Sequence, residues 1–201
     1  MRTITLVAGL LIAPLVLAQA QAPDVLVKNV TTEVVDLISK DKDIRAGDRG
    51  KLIQLIEAKV LPHFNFQSMT ALAMGASWNK ASPEQKRQLT EEFKTLLVRT
   101  YASALAAYSE QRFEYRPLRA KPTDTDVTVQ VRVIQSGAQP VPIDYSMEKT
   151  SGGWKVYDVM VGGVSLVANY RTEFNGTVRN SGIDGLLKNL QSKNRAVTEK
   201  K

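Results

Sequence analysis

The spacing of apolar residues along the chain changes twice, near residue 112 and again at Gly162-Gly163. Before residue 112 the apolar positions recur every three or four residues, which is typical of amphipathic helices. Between residues 113 and 161 they alternate with polar positions, which is typical of half-buried β-strands. After Gly163 the helical spacing returns. Helices from both ends of the chain therefore flank a block of strands, and this order predicts an α+β fold.

The helical segments have recognisable ends. Asp24 can cap the first helix, Pro62 stops the second and Gly75 closes the third. The fourth begins at Ser82-Pro83-Glu84-Gln85, where a serine cap, a proline at the first helical position and a glutamine form a capping box. A fifth helix follows Ser165, and a short sixth follows Gly182. The predicted helices span about residues 24–40, 48–60, 66–74, 82–108, 165–174 and 183–190.

The alternating segment predicts four strands joined by short turns. The second strand is the clearest, because four valines occupy one face and Thr128, Gln130 and Arg132 the other. Ser136-Gly137 and Ser151-Gly152-Gly153 mark hairpin turns. We predict a four-stranded antiparallel sheet with one apolar face, covered by helices, and no domain boundary. The predicted strands span about residues 113–119, 127–134, 141–150 and 154–161.

The first twenty residues have the pattern of a secretory signal peptide. Arg2 precedes an apolar run from Ile4 to Leu17, and small residues then allow cleavage after Ala20 or Ala22. The run of 14 residues is shorter than a membrane-spanning helix requires. We therefore predict an exported chain with a single domain over residues 23–193. The polar residues 194–201 are predicted to form a flexible tail.

Composition narrows the possible chemistry. The chain has no cysteine and a single histidine, His63, so we expect neither a zinc site nor any other metal or cofactor. The net charge of +7 favours anionic partners. No basic run with interleaved aromatic residues occurs, so nucleic acid is not an expected partner.

Asp158 is the most unusual acidic residue, because it interrupts an otherwise apolar strand. One interpretation makes it a general base with a raised pKa in a hydrophobic pocket, as in small isomerase-like enzymes. The other makes it a structural carboxylate that accepts hydrogen bonds from turn amides, which avoids the cost of burying an unpaired charge. We favour the structural interpretation, and we expect no catalytic residue.

Four sequence blocks carry a resemblance to a known family. They are VLPHFNFQSMTALAMG, WNKASPEQKRQLTEEFKTLLVRTYASAL, WKVYDVMVGGVSLVANYRTEF and GIDGLLKNL. Over about residues 23–193 the chain resembles the MlaC, or toluene-tolerance, family of periplasmic phospholipid-binding proteins. The resemblance implies helices packed on a curved antiparallel sheet of NTF2-like shape. It also implies acyl chains bound in an apolar hollow, with the headgroup at its mouth.

The same resemblance implies a carrier in the periplasm and not an enzyme. Such a carrier moves a diacyl phospholipid between an outer-membrane lipoprotein complex and an inner-membrane ABC transporter complex with an MCE-domain protein, which maintains outer-membrane lipid asymmetry. The phospholipid is cargo and not a cofactor. A carrier that diffuses between two membranes is expected to be monomeric.

A carrier must enclose both acyl chains, whose roughly 25 to 30 methylenes are each worth about 0.8 kcal/mol when removed from water. We expect one of the short helices, residues 66–74 or 184–190, to move during release. Two alternatives stay open, namely an isomerase-like enzyme that uses Asp158, and a chaperone or interaction module with a filled core. The predicted acyl-chain cavity is lined by Phe93, Leu97, Tyr101, Val129, Val131, Val133, Ile143, Tyr145, Met147, Val159, Val161, Val164, Leu166, Val167 and Tyr170.

Overall fold

The computed structural model describes residues 21–107 and 111–199, with side chains through residue 196. The predicted signal peptide, residues 1–20, lies outside the described residues, so its cleavage stays a prediction. Among the residues that the structure describes, no helix is long and apolar enough to cross a membrane.

The predicted helices are present, and Gly75 ends the third of them as predicted. Asp48, at the predicted start of the second helix, acts as its cap and accepts a hydrogen bond from the backbone N–H of Lys51 at 2.9 Å. The capping box forms, since the backbone N–H of Gln85 donates to Ser82 Oγ at 3.2 Å and that of Ser82 donates to Gln85 Oε1 at 2.9 Å. The first five helices are α1 Pro23–Lys40, α2 Lys42–Arg45, α3 Arg49–Lys59, α4 Phe66–Met74 and α5 Pro83–Ala107.

The start of α1 differs from the prediction. Ala22 occupies the capping position and makes no side-chain hydrogen bond, while Pro23 opens the helix. Asp24 lies in the first turn instead. Proline is suited to this position because its missing N–H would have no partner there, so the helix needs no aspartate cap.

The sheet is an antiparallel meander of five strands in chain order. The first strand ends earlier than predicted, and a fifth, two-residue strand was not predicted. This fifth strand folds back on the fourth through Gly162-Gly163, whose φ angles of 60° and 83° favour glycine. The strands are β1 Arg112–Tyr115, β2 Asp126–Ile134, β3 Val141–Thr150, β4 Gly153–Val161 and β5 Val164–Ser165.

The last helix, α6 Leu166–Glu199, is longer than predicted and is interrupted at Gly182, which has φ 70° and ψ −177°. Within the predicted tail, residues 194–199 continue this helix, while residues 200 and 201 lie outside the described residues. Asn194 is only 5% exposed, and its amide donates to the backbone oxygen of Glu92 at 2.9 Å and to Glu92 Oε2 at 2.7 Å. Packing on α5 therefore orders a segment that is polar in sequence.

The apolar side chains divide into two regions. The first, here called the solid half, lies between α4, the first part of α5 and α6. Phe93 and Phe174 are fully buried there, with ring centroids 5.1 Å apart, and Tyr170 packs edge-on to Phe93 at 5.0 Å. The buried members of the solid half are Met69, Ala73, Met74, Leu89, Phe93, Leu96, Leu97, Val167, Phe174, Leu186 and Leu190.

The second region, here called the hollow half, is formed by α1, α3, the second part of α5 from Leu97 to Leu105, and the inner face of the sheet. Its helices and its sheet do not meet along their whole length. They leave open space between them, and that space is the candidate site.

Candidate functional site

A cavity of about 390 Å³ occupies the hollow half. This size falls in the range of roughly 300 to 1,000 Å³ that is usual for small-molecule sites. The helices contribute Leu26, Val27, Val30, Thr31, Val34, Val35, Ile38, Ile56, Leu97, Val98, Tyr101, Ala102, Ala104, Leu105 and Leu166. The sheet contributes Phe113, Ile143, Tyr145, Met147, Val156, Val159 and Val161, and the segment after α3 with the start of α4 contributes Val60, Leu61, His63, Phe64, Phe66 and Met69.

The walls are almost entirely apolar. Only four of these residues carry a polar side chain, namely Thr31, His63, Tyr101 and Tyr145, and none is an acid, a lysine or an arginine. Burial raises the pKa of Tyr145 to about 12, with a smaller effect of nearby Tyr115, so its phenol is neutral in ordinary conditions. Burial, and then the positive charge of Lys155, lower the pKa of His63. The cavity is therefore suited to a long apolar ligand.

The longest wall comes from α1, which places seven side chains on the cavity. Valine and isoleucine recur along this helix at three- and four-residue spacing, so one face of it is a continuous apolar stripe. At its start Leu26 and Val27 pack on the valines of β2, which anchors the helix over the sheet. Farther along, Val34 and Ile38 pack on α3 and α5.

Eight of the fifteen predicted lining residues lie on the cavity wall, and seven do not. Phe93, Val167 and Tyr170 lie in or against the solid half. Val129, Val131 and Val133 are buried in the core cluster on the inner face of the sheet, while Val164 is 52% exposed at the turn. Contact with a lipid stays a prediction for all fifteen. The eight on the wall are Leu97, Tyr101, Ile143, Tyr145, Met147, Val159, Val161 and Leu166.

The prediction missed every wall residue of α1 and all those between Ile56 and Met69. The apolar stripe of α1 was visible in the sequence as a helix face that needs a partner. The sequence did not show that this partner is an open space. His63, the single histidine of the sequence, lies on the wall as well.

Asp158 lies outside the cavity wall, at the junction of β4 and α6. Its carboxylate accepts hydrogen bonds from Ser165 Oγ at 2.6 Å, from the backbone N–H of Val159 at 2.8 Å and from that of Val167 at 3.2 Å. Ser165 Oγ in turn accepts from the backbone N–H of Ala168 at 2.9 Å. These contacts fix the start of α6, which agrees with the structural interpretation of Asp158.

The sequence profile of the MlaC protein family matches residues 28–192. The chain belongs to the MlaC family. Within that family it is 26% identical over 173 residues to the intermembrane phospholipid transport system binding protein MlaC of Haemophilus influenzae. The aligned region covers 85% of this chain and 81% of the relative. It is also 26% identical over 172 residues to the toluene tolerance protein ttg2D of Pseudomonas putida, with coverage of 85% and 80%.

A solved structure is similar as well. It is the phospholipid-binding protein of Ralstonia solanacearum in complex with a phospholipid, which is 38% identical. The TM-score is 0.81, and the similarity covers 88% of this chain and 98% of that one. These findings confirm the resemblance predicted from the sequence blocks. They also confirm the predicted arrangement of helices on an antiparallel sheet, with five strands in place of four.

Proposed function

We propose that the chain is a periplasmic phospholipid carrier that encloses the acyl chains of its cargo in the cavity of the hollow half. The observation that carries this proposal is the cavity itself, about 390 Å³ of space with walls of branched aliphatic and aromatic side chains. The similar protein of Ralstonia solanacearum, solved with a phospholipid, supports the identity of the ligand.

Physical chemistry favours this ligand over a small polar one. Two acyl chains have on the order of 20 kcal/mol of gross burial free energy, at about 0.8 kcal/mol per methylene. A polar metabolite would lose its hydrogen bonds to water and would find only four polar side chains in the wall. The aliphatic walls can instead remove methylenes from water.

The proposal extends to transport between membranes. The Haemophilus influenzae relative is named for an intermembrane phospholipid transport system, which supports a role in which the chain carries lipid through the periplasm. We propose that its partners are an outer-membrane lipoprotein complex and an inner-membrane ABC transporter complex with an MCE-domain protein. We further propose that it acts as a monomer and without catalysis.

The test is native mass spectrometry of the purified chain, followed by solvent extraction and lipid analysis. The expected spectrum shows the protein mass plus one or more diacyl phospholipids. Two matched variants of α5 test whether the lipid is bound in the cavity. Ala104 lies on the cavity wall, whereas its neighbour Ser103 does not. Both residues are exposed, so neither substitution overpacks a closed core.

Ala104→Trp directs an indole at the cavity, and it should reduce the bound phospholipid at least tenfold. Ser103→Trp should retain the wild-type amount. A bare protein mass for the wild type, or equal lipid content in the two variants, would contradict the proposal.

A further inference from the structure

Charged side chains approach the cavity wall at His63. Its neighbour Pro62 accepts a hydrogen bond from Lys155 Nζ through its backbone oxygen, at 2.5 Å. Lys59, one turn earlier, pairs with Glu33 of α1, with 2.6 Å between Lys59 Nζ and Glu33 Oε1. Lys155 and Glu33 both act on His63 through their charges, and Lys59 is connected to this group through its ion pair with Glu33. Three elements thus contribute two ammonium groups and one carboxylate near this part of the wall.

The phosphate of a phospholipid needs a binding position that offers positive charges next to the apolar cavity. Its negative charge is not expected to accompany the acyl chains into an apolar space, because burying an unpaired ion is costly and a position in contact with cations and water avoids that cost. It must rest where cations and water reach the cavity. Lys59 and Lys155 are both partly exposed, so water reaches them.

We propose that His63, Lys155 and Lys59 form the binding site for the lipid phosphate, which orients the cargo with its headgroup at this end of the cavity. This inference rests on the phospholipid-carrier function proposed above. It names a site for the headgroup, which the apolar wall alone does not provide.

The hydrogen-bond donors and the net charge of this site suit a ligand with a single negative charge. Lys155 uses one of its three N–H donors on the Pro62 oxygen, which leaves two for a phosphate oxygen. Lys59 is neutralised by Glu33, so one net positive charge remains when His63 is neutral. Imidazole adds an N–H donor and, when protonated, a second positive charge.

The protonation state of His63 should depend on whether a phosphate is bound at this site. Burial and the charge of Lys155 lower its pKa below its ordinary value near 6.5, while Glu33 acts weakly in the opposite direction. A bound phosphate would favour the imidazolium, because an opposite charge nearby stabilises the charged form. The pKa of His63 should therefore rise when a phospholipid is bound.

His63 is the only histidine in the chain, so its NMR titration is free of overlap. The experiment compares the chain loaded with phosphatidylglycerol and the chain loaded with a diacylglycerol of the same acyl chains. The second lipid fills the cavity and lacks the phosphate. A third sample adds inorganic phosphate to the diacylglycerol-loaded chain, which separates a headgroup site from a site for free phosphate.

We expect the His63 pKa to be higher by about one unit, a tenfold gain in proton affinity, with phosphatidylglycerol than with diacylglycerol. Free phosphate at millimolar concentration should give less than a third of that shift. Equal pKa values in the two loaded forms would overturn the inference and leave the carrier function intact. A full shift with free phosphate alone would overturn the headgroup assignment. Failure to load phosphatidylglycerol would contradict both.

Variants provide a second readout. The double variant Lys59→Gln, Lys155→Gln should lower the preference for phosphatidylglycerol over diacylglycerol about tenfold. Lys40→Gln is the matched control, because Lys40 pairs with Asp36 at 2.7 Å on the same helix as Glu33 and contributes nothing to the cavity wall. An unchanged lipid preference in a folded double variant would overturn the inference.

Discussion

The solid half and the hollow half are built from the same kinds of residue, and one helix passes through both. In α5, Phe93 is fully buried among aromatic rings of α6, whereas Tyr101 and Leu105, two and three turns later, are half-buried and face the cavity. Leu97 lies at the border, since it packs in the solid cluster and also lines the cavity. The difference therefore arises from what lies opposite the helix.

In the solid half, α4 and α6 fill the space opposite α5. In the hollow half, α1 and the sheet leave it open. Interiors are normally packed as densely as organic crystals, so an open apolar space of this size forgoes packing energy. A ligand that fills the space would restore these contacts. The solid half thus stabilises the fold, and the hollow half is the part that we propose to hold the cargo.

The largest expected effect comes from removing one phenylalanine from each half. In lipid-free protein, Phe93→Ala should lower the free energy of unfolding by about 3 to 5 kcal/mol, because it leaves a hole in a closely packed cluster. Phe113→Ala should cost less than half as much, because Phe113 is only partly buried and faces the cavity. Urea denaturation measures both, and equal losses would remove the distinction between the halves.

A smaller effect is expected from adding the same bulk to each half. Val167, in the solid half, is 2% exposed, whereas Val98 is half-buried on the cavity wall. Val167→Phe should destabilise the lipid-free chain by about 1 to 3 kcal/mol through overpacking. Val98→Phe should change stability by less than about 1 kcal/mol and should reduce the amount of bound lipid. If thermal unfolding showed that Val98→Phe destabilises the chain more than Val167→Phe, the space beside Val98 would already be filled.

The smallest effect is expected at the junction of β4 and α6. Ser165→Ala removes a cap at the start of α6, and it should cost about 1 kcal/mol of unfolding free energy without loss of lipid. Asp158→Asn should likewise retain its lipid, since Asp158 lies outside the wall. Lipid extraction from both variants checks this prediction. Loss of lipid in Asp158→Asn alone would indicate that Asp158 takes part in lipid binding.

Much of the fold could be predicted because its signals are local. The capping box at Ser82 and Gln85, the helix start at Asp48 and the alternation of β2 each depend on neighbouring residues, and each was correct. The short strand β5 was missed because only its pairing with β4 defines it. The helix at residues 194–199 was missed because its order depends on contacts with α5.

The candidate site could be predicted only in part, for a physical reason. Phe93, Leu97 and Tyr101 occupy the same face of one helix, and their chemistry does not distinguish a filled core from a cavity wall. The valines of β2 alternate as clearly as the apolar residues of β3, but only the latter line the cavity. The sequence indicated the apolar stripe of α1, but it did not indicate that this stripe faces a cavity.

Release of a lipid from the cavity requires one of its walls to open. The sequence suggested that α4 or residues 184–190 would move, but Met69 of α4 and Leu186 and Leu190 of α6 are 0 to 2% exposed in the solid half. Displacing either segment would open the most closely packed part of the molecule. Phe66 and Met69 of α4 also line the cavity, but displacing α1, which contributes seven wall residues, would open it without disturbing the solid half. We therefore expect cross-links that fix α1 to α3 to slow lipid transfer more than cross-links within the solid half.

The most direct test is to locate the acyl chains by NMR. The chain is loaded with a phospholipid that carries a nitroxide label midway along one acyl chain, and methyl resonances are compared before and after chemical reduction of the label. Methyl groups of Val30, Val98 and Leu105 should broaden strongly, and those of Leu89, Leu186 and Leu190 should not. Broadening in the solid half, or no selective broadening at all, would contradict the account.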